Sequence, residues 1–330
     1  MEHKLYPLKF SPVLKDKIWG GDKIKKVLGI DFAPLPNCGE AWVISGYEGD
    51  TVIVSNGFLE GNDLNELVEI YMGDLLGDEI FNRFGNEFPL LIKFIDAADW
   101  LSIQVHPDDE LAQKRGYENG KTEMWYIISA DEGSELISGF KRDSSKEEYL
   151  TYLHTNRLSE LLNREKVEAG DVFYMPAGRV HSLGPGILLT EIQQTSDTTY
   201  RIYDWDRVDA NGNSRELHTE EALEAIDFKA HDDYKSHYKV TENASSNMVS
   251  SPYFTTNIIV MDKAIAKDYS ELDSFVIYIC VEGNLTLVHD GEEEKQVSLK
   301  KGEAVLVPAI IDRIDLIPSE KSKVLEVFIN

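Results

Sequence analysis

Only two cysteines, Cys38 and Cys280, occur in 330 residues, and they lie far apart, so a disulfide framework is not what holds this chain together. No apolar run reaches membrane-spanning length, and the opening MEHKLYPLKF has neither signal-peptide layout nor the Arg-rich character of a transit peptide. The expectation is a soluble cytoplasmic protein. Basic residues are scarce: 33 Lys and Arg stand against 59 Asp and Glu, a formal charge of -26. Nucleic acid and anionic membranes require clustered cations, so neither is an expected partner. A small anion remains compatible, because it needs only a few cations in one pocket. Gly20 and Gly21 form no phosphate-binding loop or dinucleotide fingerprint, and no Cys–His or Ser–His–Asp nucleophile arrangement is present. With 42% hydrophobic residues, the chain is long enough for two cores.

What is present is mostly strand periodicity. In LSIQVHP, Ser102, Gln104 and His106 alternate with Leu101, Ile103 and Val105, which puts a hydroxyl, an amide and an imidazole on one face of a strand. Polar groups facing an interior are costly unless a metal or polar ligand satisfies them. Further short runs rich in Val, Ile and aromatics include FPLLIKFID, EMWYIIS, DVFYMP, ILLTEIQQ, SFVIYICVEG and KVLEVFIN. Helical spacing is limited to Asp63–Phe84, to a segment opened by a Ser144/Glu147 capping box, and to EEALEAI with Thr219 as N-cap. The fold class expected is mainly β with a few helices inserted in the N-terminal part.

One layout occurs twice. Gly170, Pro176, Gly178 and His181 stand at fixed offsets around DVFYM, and this resembles the second sequence motif of cupins, small jelly-roll barrels. Gly302, Pro308, Ile310 and Arg313 repeat the spacing near the C-terminus, with Ile310 for the second glycine and Arg313 for the histidine. Two cupin-like jelly-roll barrels are therefore expected: a metal-binding catalytic domain over residues 1–235 and a second over 236–330 without metal ligands. The linker is expected within residues 231–246, and strands from the first hundred residues remain able to pair with the second barrel.

His106 and His181 come from different strands, with Glu123 between them in sequence and Gln104 one strand-step from His106. A lone histidine is usually a hydrogen-bonded core residue. Four polar candidates on barrel strands instead make a mixed N/O set suited to zinc or another divalent ion. His3, His154, His218, His231, His237 and His289 sit in polar surroundings and are assigned no role. Lys121, two residues before Glu123, faces the same way on an extended strand, or else is a solvent lysine at a hairpin end. Glu191, Asp197 and Arg201 follow His181; Arg201 offers a planar fork for a phosphate or oxyanion, or else pairs with Asp197 as a structural ion pair. The residues describe a metal-bearing barrel with cations at its mouth and a small, oxygen-rich, anionic ligand. Its chemistry would be Lewis-acid polarisation with proton transfer. An iron-dependent cupin oxygenase and a non-enzymatic sugar-phosphate-binding cupin are the rival readings.

IWGG from Ile18, GEAWVIS from Gly39, FPLLIKFIDA from Phe88, LSIQVHPDD from Leu101, KTEMWYI from Lys121, PAGRVHSLG from Pro176 and EIQQTSDTTYRIYDW from Glu191 together resemble type I mannose-6-phosphate isomerases in their short bacterial form. SIQVHP followed by KTEMWY is the specific part, and the likeness spans nearly the whole chain. The resemblance implies one zinc ion per chain, bound by Gln104, His106, Glu123 and His181. It implies interconversion of mannose 6-phosphate and fructose 6-phosphate, which share a cis-enediol; exposed barrel faces are compatible with either a monomer or a homodimer. Ser102, Lys121 and Arg201 match positions around the hexose 6-phosphate, and Trp19, Glu191 and Asp197 match the pocket wall. Lys121 and Arg201 would offset phosphate or enediolate charge, with Glu191 or a water on the cation carrying the proton. Two departures stand out: the long helical insertion of larger members is missing, and Pro185 replaces the motif's usual asparagine.

Overall fold

In the computed structural model, which describes residues 4–208, 212–291 and 294–330, four antiparallel sheets are stacked as layers. His3 lies outside the described residues. The outermost sheet has five strands in the order Tyr200–Tyr203, Ile103–Val105, His181–Leu183, Glu135–Phe140 and Leu162–Lys166. Behind it lies a six-stranded sheet in the order Val172–Met175, Glu123–Ala130, Ile187–Gln194, Leu90–Ala97, Glu40–Ile44 and Val13–Lys15. Trp19, Ile95, Trp125, Leu136, Leu183 and Leu189 fill the space between these two. The largest core joins the six-stranded sheet, through Ile92, Phe94 and Tyr126, to a seven-stranded sheet, through Ile258, Ile277 and Leu325. A four-stranded sheet closes the far side over Tyr278, Leu287, Leu299 and Leu316.

Alternation explains this layering. Strands between two apolar layers bury both faces: all eight positions of Leu90–Ala97 and of Ile187–Gln194 are buried. Strands of the four-stranded sheet alternate buried and exposed, as Gln296–Lys300 does, because one side meets water. The expected barrels are not closed. Among the described residues no ladder joins an edge strand to the sheet it faces; loops span the edges instead. Leu8–Ser11 pairs with Ala304–Val307 and with Ile53–Val54, so two N-terminal strands extend the sheet of the C-terminal half.

Helices lie between Lys23 and Ala225. The stretch from Asp63 is not one helix: Leu64–Leu76 is kinked at Met72, which adopts φ 48°, and Gly77, at φ 95°, separates it from Asp78–Phe84. Asp63 and Glu66 form the reciprocal capping box of the first helix. The expected cap at Ser144 is one residue off: Ser145 accepts from the Glu148 N–H, while the Ser144 hydroxyl donates to the Glu148 carboxylate. Thr219 is already helical, with His218 in the cap position and no side-chain bond.

Strand register relates the two halves. In the six-stranded sheet Glu191 sits between Lys93 and Trp125; in the seven-stranded sheet Glu326 sits between Asn257 and Tyr278. His181 faces Gln104 across one outer sheet, and Ile314 faces Lys267 across the other. Counting along those strands matches Tyr269 to His106 and Val276 to Glu123. By inward-facing position the counterpart of His181 is Ile314, 2% exposed, although motif spacing points to Arg313. Arg313 points outward, 73% exposed, beside Asp268. A strand turns successive side chains to opposite faces, so one step of offset separates interior from solvent.

Glu326 is buried in the second half, yet fully partnered. Lys267 Nζ is 2.7 Å from Oε1, which also accepts from Tyr269; Ser245 and Asn257 donate to Oε2, and Tyr269 bonds in turn to Tyr278. Removing one member of a buried pair leaves an uncompensated charge, costing about 3–5 kcal/mol. Lys267→Met is therefore expected to destabilise the protein by about 3 kcal/mol in urea unfolding, with divalent-metal content unchanged. Parent-like stability, or loss of metal, contradicts this reading.

Candidate active site

Between the five- and six-stranded sheets lies a cavity of about 210 Å³. Its lining includes Trp19, Ser102, Gln104 and Lys121 from the first half of the sequence-expected set, and His181, Glu191, Asp197 and Arg201 from the second. His106 and Glu123 sit beneath, both buried. The local fold dictates this. Gly178, at φ 87°, turns the chain after Met175 and donates its N–H to the His106 carbonyl, tying the His106 and His181 strands together. A Cβ at that glycine would lie 3.0 Å from the Ala225 carbonyl oxygen.

His106, Glu123 and His181 each bring one donor atom within 4.8 Å of the others. Nε2 of His106 is 3.5 Å from Glu123 Oε2, and Nε2 of His181 is 3.3 Å from Oε1. Each Nδ1 bonds to a backbone carbonyl, Thr198 for His106 and Arg179 for His181. Those bonds place the proton on Nδ1 and turn the Nε2 lone pairs toward Glu123. His106 Nε2 and both Glu123 carboxylate oxygens are buried without any hydrogen-bond partner. Buried acceptors left in that state are costly. Three converging acceptors and no donor among them fit a cation. The Gln104 amide lies 3.2 Å from His181 Nε2, and its other end accepts from Ser102. Turning that amide end for end presents a carbonyl oxygen to the same point.

Lys121 is buried, not a solvent lysine: Nζ is 3.1 Å from Glu123 and 3.9 Å from Glu191. Burial opposes its charge, but Glu123, Glu191 and Asp197 outweigh it and push its pKa above the ordinary lysine range. Glu191 is held by the Trp125 indole N–H at 2.9 Å. Burial, then the charge of Glu123, raises its pKa, against the pull of Lys121 and Lys93. Arg201 does not pair with Asp197. Its Nη1 donates to the Glu216 carbonyl, and Asp197 lies 3.7 Å from Lys93 instead.

Sequence reasoning missed Lys93, Lys17 and Glu40. Lys93, only 3% exposed, lies 3.7 Å from Glu191 and 4.4 Å from the Trp42 ring. A lysine inside the apolar run FPLLIKFID was the available signal, since a buried lysine needs partners. Burial resists ionisation of Glu40, yet Lys93 and Lys17 bring its pKa down to about 2. His218, assigned no role, receives the Arg201 backbone N–H on Nδ1.

Fold and site together define a mainly β protein with a candidate divalent-cation centre beneath a cavity lined by lysines, arginines and carboxylates. The family model for phosphomannose isomerase type I, catalytic domain, matches residues 7–157, and that for mannose-6-phosphate isomerase, cupin domain, matches residues 244–318. Mannose-6-phosphate isomerase of Streptococcus mutans serotype c is 37% identical over 306 residues, covering 92% of this chain and 93% of the relative. Mannose-6-phosphate isomerase ManA of Bacillus subtilis strain 168 is 36% identical over 309 residues, with 92% and 93% covered. The crystal structure of the mannose 6-phosphate isomerase from Bacillus subtilis matches with TM-score 0.87 at 33% identity, covering 98% of this chain and 99% of that one. The chain belongs to the type I mannose-6-phosphate isomerase family.

The histidines make the metal-free protein acid-sensitive. Burial, reinforced by Lys121, holds His106 well below the free imidazole range; burial likewise brings His181 to about 4. An unfolded chain protonates both near pH 6.5, so below that pH the unfolded state binds more protons than the folded one. Stability is then lost as pH falls from about 6.5 toward 4, by about 3 kcal/mol for His181. Urea midpoints of metal-stripped protein across this range check the sign. A His106→Gln/His181→Gln double variant is expected to show a shallower acid decline, and an equal slope contradicts the assignment.

Proposed function

We propose that this protein interconverts mannose 6-phosphate and fructose 6-phosphate through a cis-enediol, using one zinc ion held by Gln104, His106, Glu123 and His181. The observation that carries the reading is the set of buried acceptors on His106 and Glu123, which lack a hydrogen bond and have only the Lys121 ion pair beside them, at the foot of a charged cavity. Two nitrogens, a carboxylate and an amide oxygen suit zinc. Around the cavity five cations, Lys17, Lys93, Lys121, Arg201 and Arg215, face four carboxylates, Glu40, Glu191, Asp197 and, beneath, Glu123, so an added divalent cation makes the site more positive still. A dianionic sugar phosphate suits that sign. We assign catalysis to residues 1–235 and a cupin-like unit without metal ligands to 236–330. The facing sheets then represent two flattened jelly-roll barrels open at their edges, with Leu8–Ser11 and Ile53–Val54 lent to the second.

When bound, zinc supplies Lewis-acid polarisation of sugar oxygens beside the reacting carbons. The side chains do the rest. Trp125 fixes one oxygen of Glu191, leaving the other to carry a proton between C1 and C2. A carboxyl whose pKa is raised by burial is suited to both taking and returning that proton. Lys121 stays charged and so donates a hydrogen bond to the developing enediolate rather than acting as base. Arg201 holds negative charge at the mouth, and Trp19 and Leu101 form an apolar wall for the sugar. Against the iron-oxygenase reading, Gln104 adds a fourth donor, and the cations provide anion recognition that dioxygen does not need.

A coupled assay with both hexose phosphates is expected to detect turnover, lose it on chelation and recover it with zinc. Glu123→Ala is expected to lose metal and activity together; a zinc-replete, active variant removes Glu123 from the ligand set. Arg201→Ala is expected to retain metal while kcat/KM falls by about 2–3 kcal/mol, a typical cost of losing a charged hydrogen-bond donor to the bound sugar phosphate. Near-normal kinetics would leave Arg201 a structural role only.

A further inference from the structure

Two arginines grip the buried carboxylate of Asp204 beside the cavity, a third, Arg201, lies close by, and the three are not equivalent. Arg207 is fully engaged with protein: Nη2 is 2.6 Å from Asp204 Oδ1, Nη1 donates to the Trp100 carbonyl at 2.5 Å, and Nε donates to the Asp204 carbonyl. It does not line the cavity. Arg215 does, with its side chain 34% exposed. Its Nε and Nη2 grip Asp204 at 2.8 and 2.5 Å, while Nη1 bonds to no described residue. Arg201 also lines the cavity; its Nε is buried without a partner, and among the described residues no carboxylate lies within ion-pair distance of it.

These two guanidiniums are neighbours. Arg201 Nη1 bonds to the carbonyl of Glu216, the residue next to Arg215. After burial, the charge of Arg215 is the largest influence lowering Arg201's hold on its proton. Asp204, shared with Arg207, offsets only part of this local positive charge. Two adjacent cations with unengaged N–H groups, facing one cavity, repel each other until an anion lies between them. Oxygens of a tetrahedral phosphate match planar donor forks better than point charges do.

We propose that Arg215, held rigid by Asp204, completes with Arg201 an anion seat for the phosphate end of the substrate. This rests on the hexose-phosphate reading above and names where that group sits. Arg215 is a binding residue; its clamp by Asp204 fixes the fork before ligand arrives, so little ordering is needed on binding.

The test uses metal-loaded, full-length protein and inorganic phosphate as probe. The KM for mannose 6-phosphate and the inhibition constant for phosphate are compared among parent, Arg215→Gln, Arg215→Lys and Arg207→Gln. Arg215→Gln is expected to raise both constants at least tenfold, with kcat within twofold and metal content unchanged. Arg215→Lys, which keeps charge without the fork, is expected to recover part of the loss and serves alone if the glutamine variant fails to fold. Arg207→Gln removes an Asp204 partner outside the cavity and is expected to leave the phosphate constant within twofold. Unchanged phosphate inhibition in the Arg215 variants overturns the seat, as does an equal rise in Arg207→Gln, which would make Asp204 scaffolding the cause. If the parent turns over neither sugar phosphate, the activity reading falls. Calorimetric titration of parent and variants with inorganic phosphate then decides the seat separately: binding lost with Arg215 upholds it, and equal or absent binding rejects it.

Discussion

Glu123 carries a carboxylate into the interior, sets it between two imidazoles whose Nε2 atoms also accept, and receives no hydrogen bond there. Everything else in the site is arranged around that arrangement of like acceptors. The Thr198 and Arg179 carbonyls fix the imidazole tautomers, Gly178 ties the two histidine strands together, and Lys121 lies 3.1 Å from the carboxylate. Such a cluster is unfavourable on its own and favourable around a cation, so the sheets hold a geometry that only a ligand makes economical.

The second half of the chain offers an internal comparison. The same strand register returns in the seven- and four-stranded sheets, and Glu326 occupies the place of Glu191. There the interior cation is Lys267, already within the chain, and neither carboxylate oxygen of Glu326 is left without a donor. One framework therefore supports two outcomes, an open centre and a closed ion pair, according to which side chains occupy a few inward positions.

Much of this was legible before any coordinates. LSIQVHP declared Gln104 and His106 on one face because strand periodicity is local, and Lys121 with Glu123 followed the same rule. Motif spacing placed His181, so the residues alone already gathered Gln104, His106, Glu123 and His181 as candidates, and the family resemblance added that they bind one zinc ion. Lys93, Glu40 and Arg215 were not legible, because their meaning lies in partners from distant strands: Glu191, Lys17 and Asp204 are neighbours only after folding. For the same reason Leu8–Ser11 could not be assigned to the C-terminal sheet beyond a bare possibility. Arg313 keeps the motif spacing of His181 but turns to solvent, since spacing repeats do not reveal which face a strand turns inward. Caps slipped likewise at Ser145 and His218, where neighbouring residues offered equally plausible chemistry.

The central claim is that His106, Glu123 and His181 share one metal ion. Crystals of zinc-loaded protein, measured on both sides of the zinc absorption edge, address it directly. The account predicts a single anomalous peak about 2.0–2.2 Å from Nε2 of both histidines and from a Glu123 oxygen. Zinc absent from that point, or a peak seated elsewhere with those three groups still uncoordinated, would contradict it.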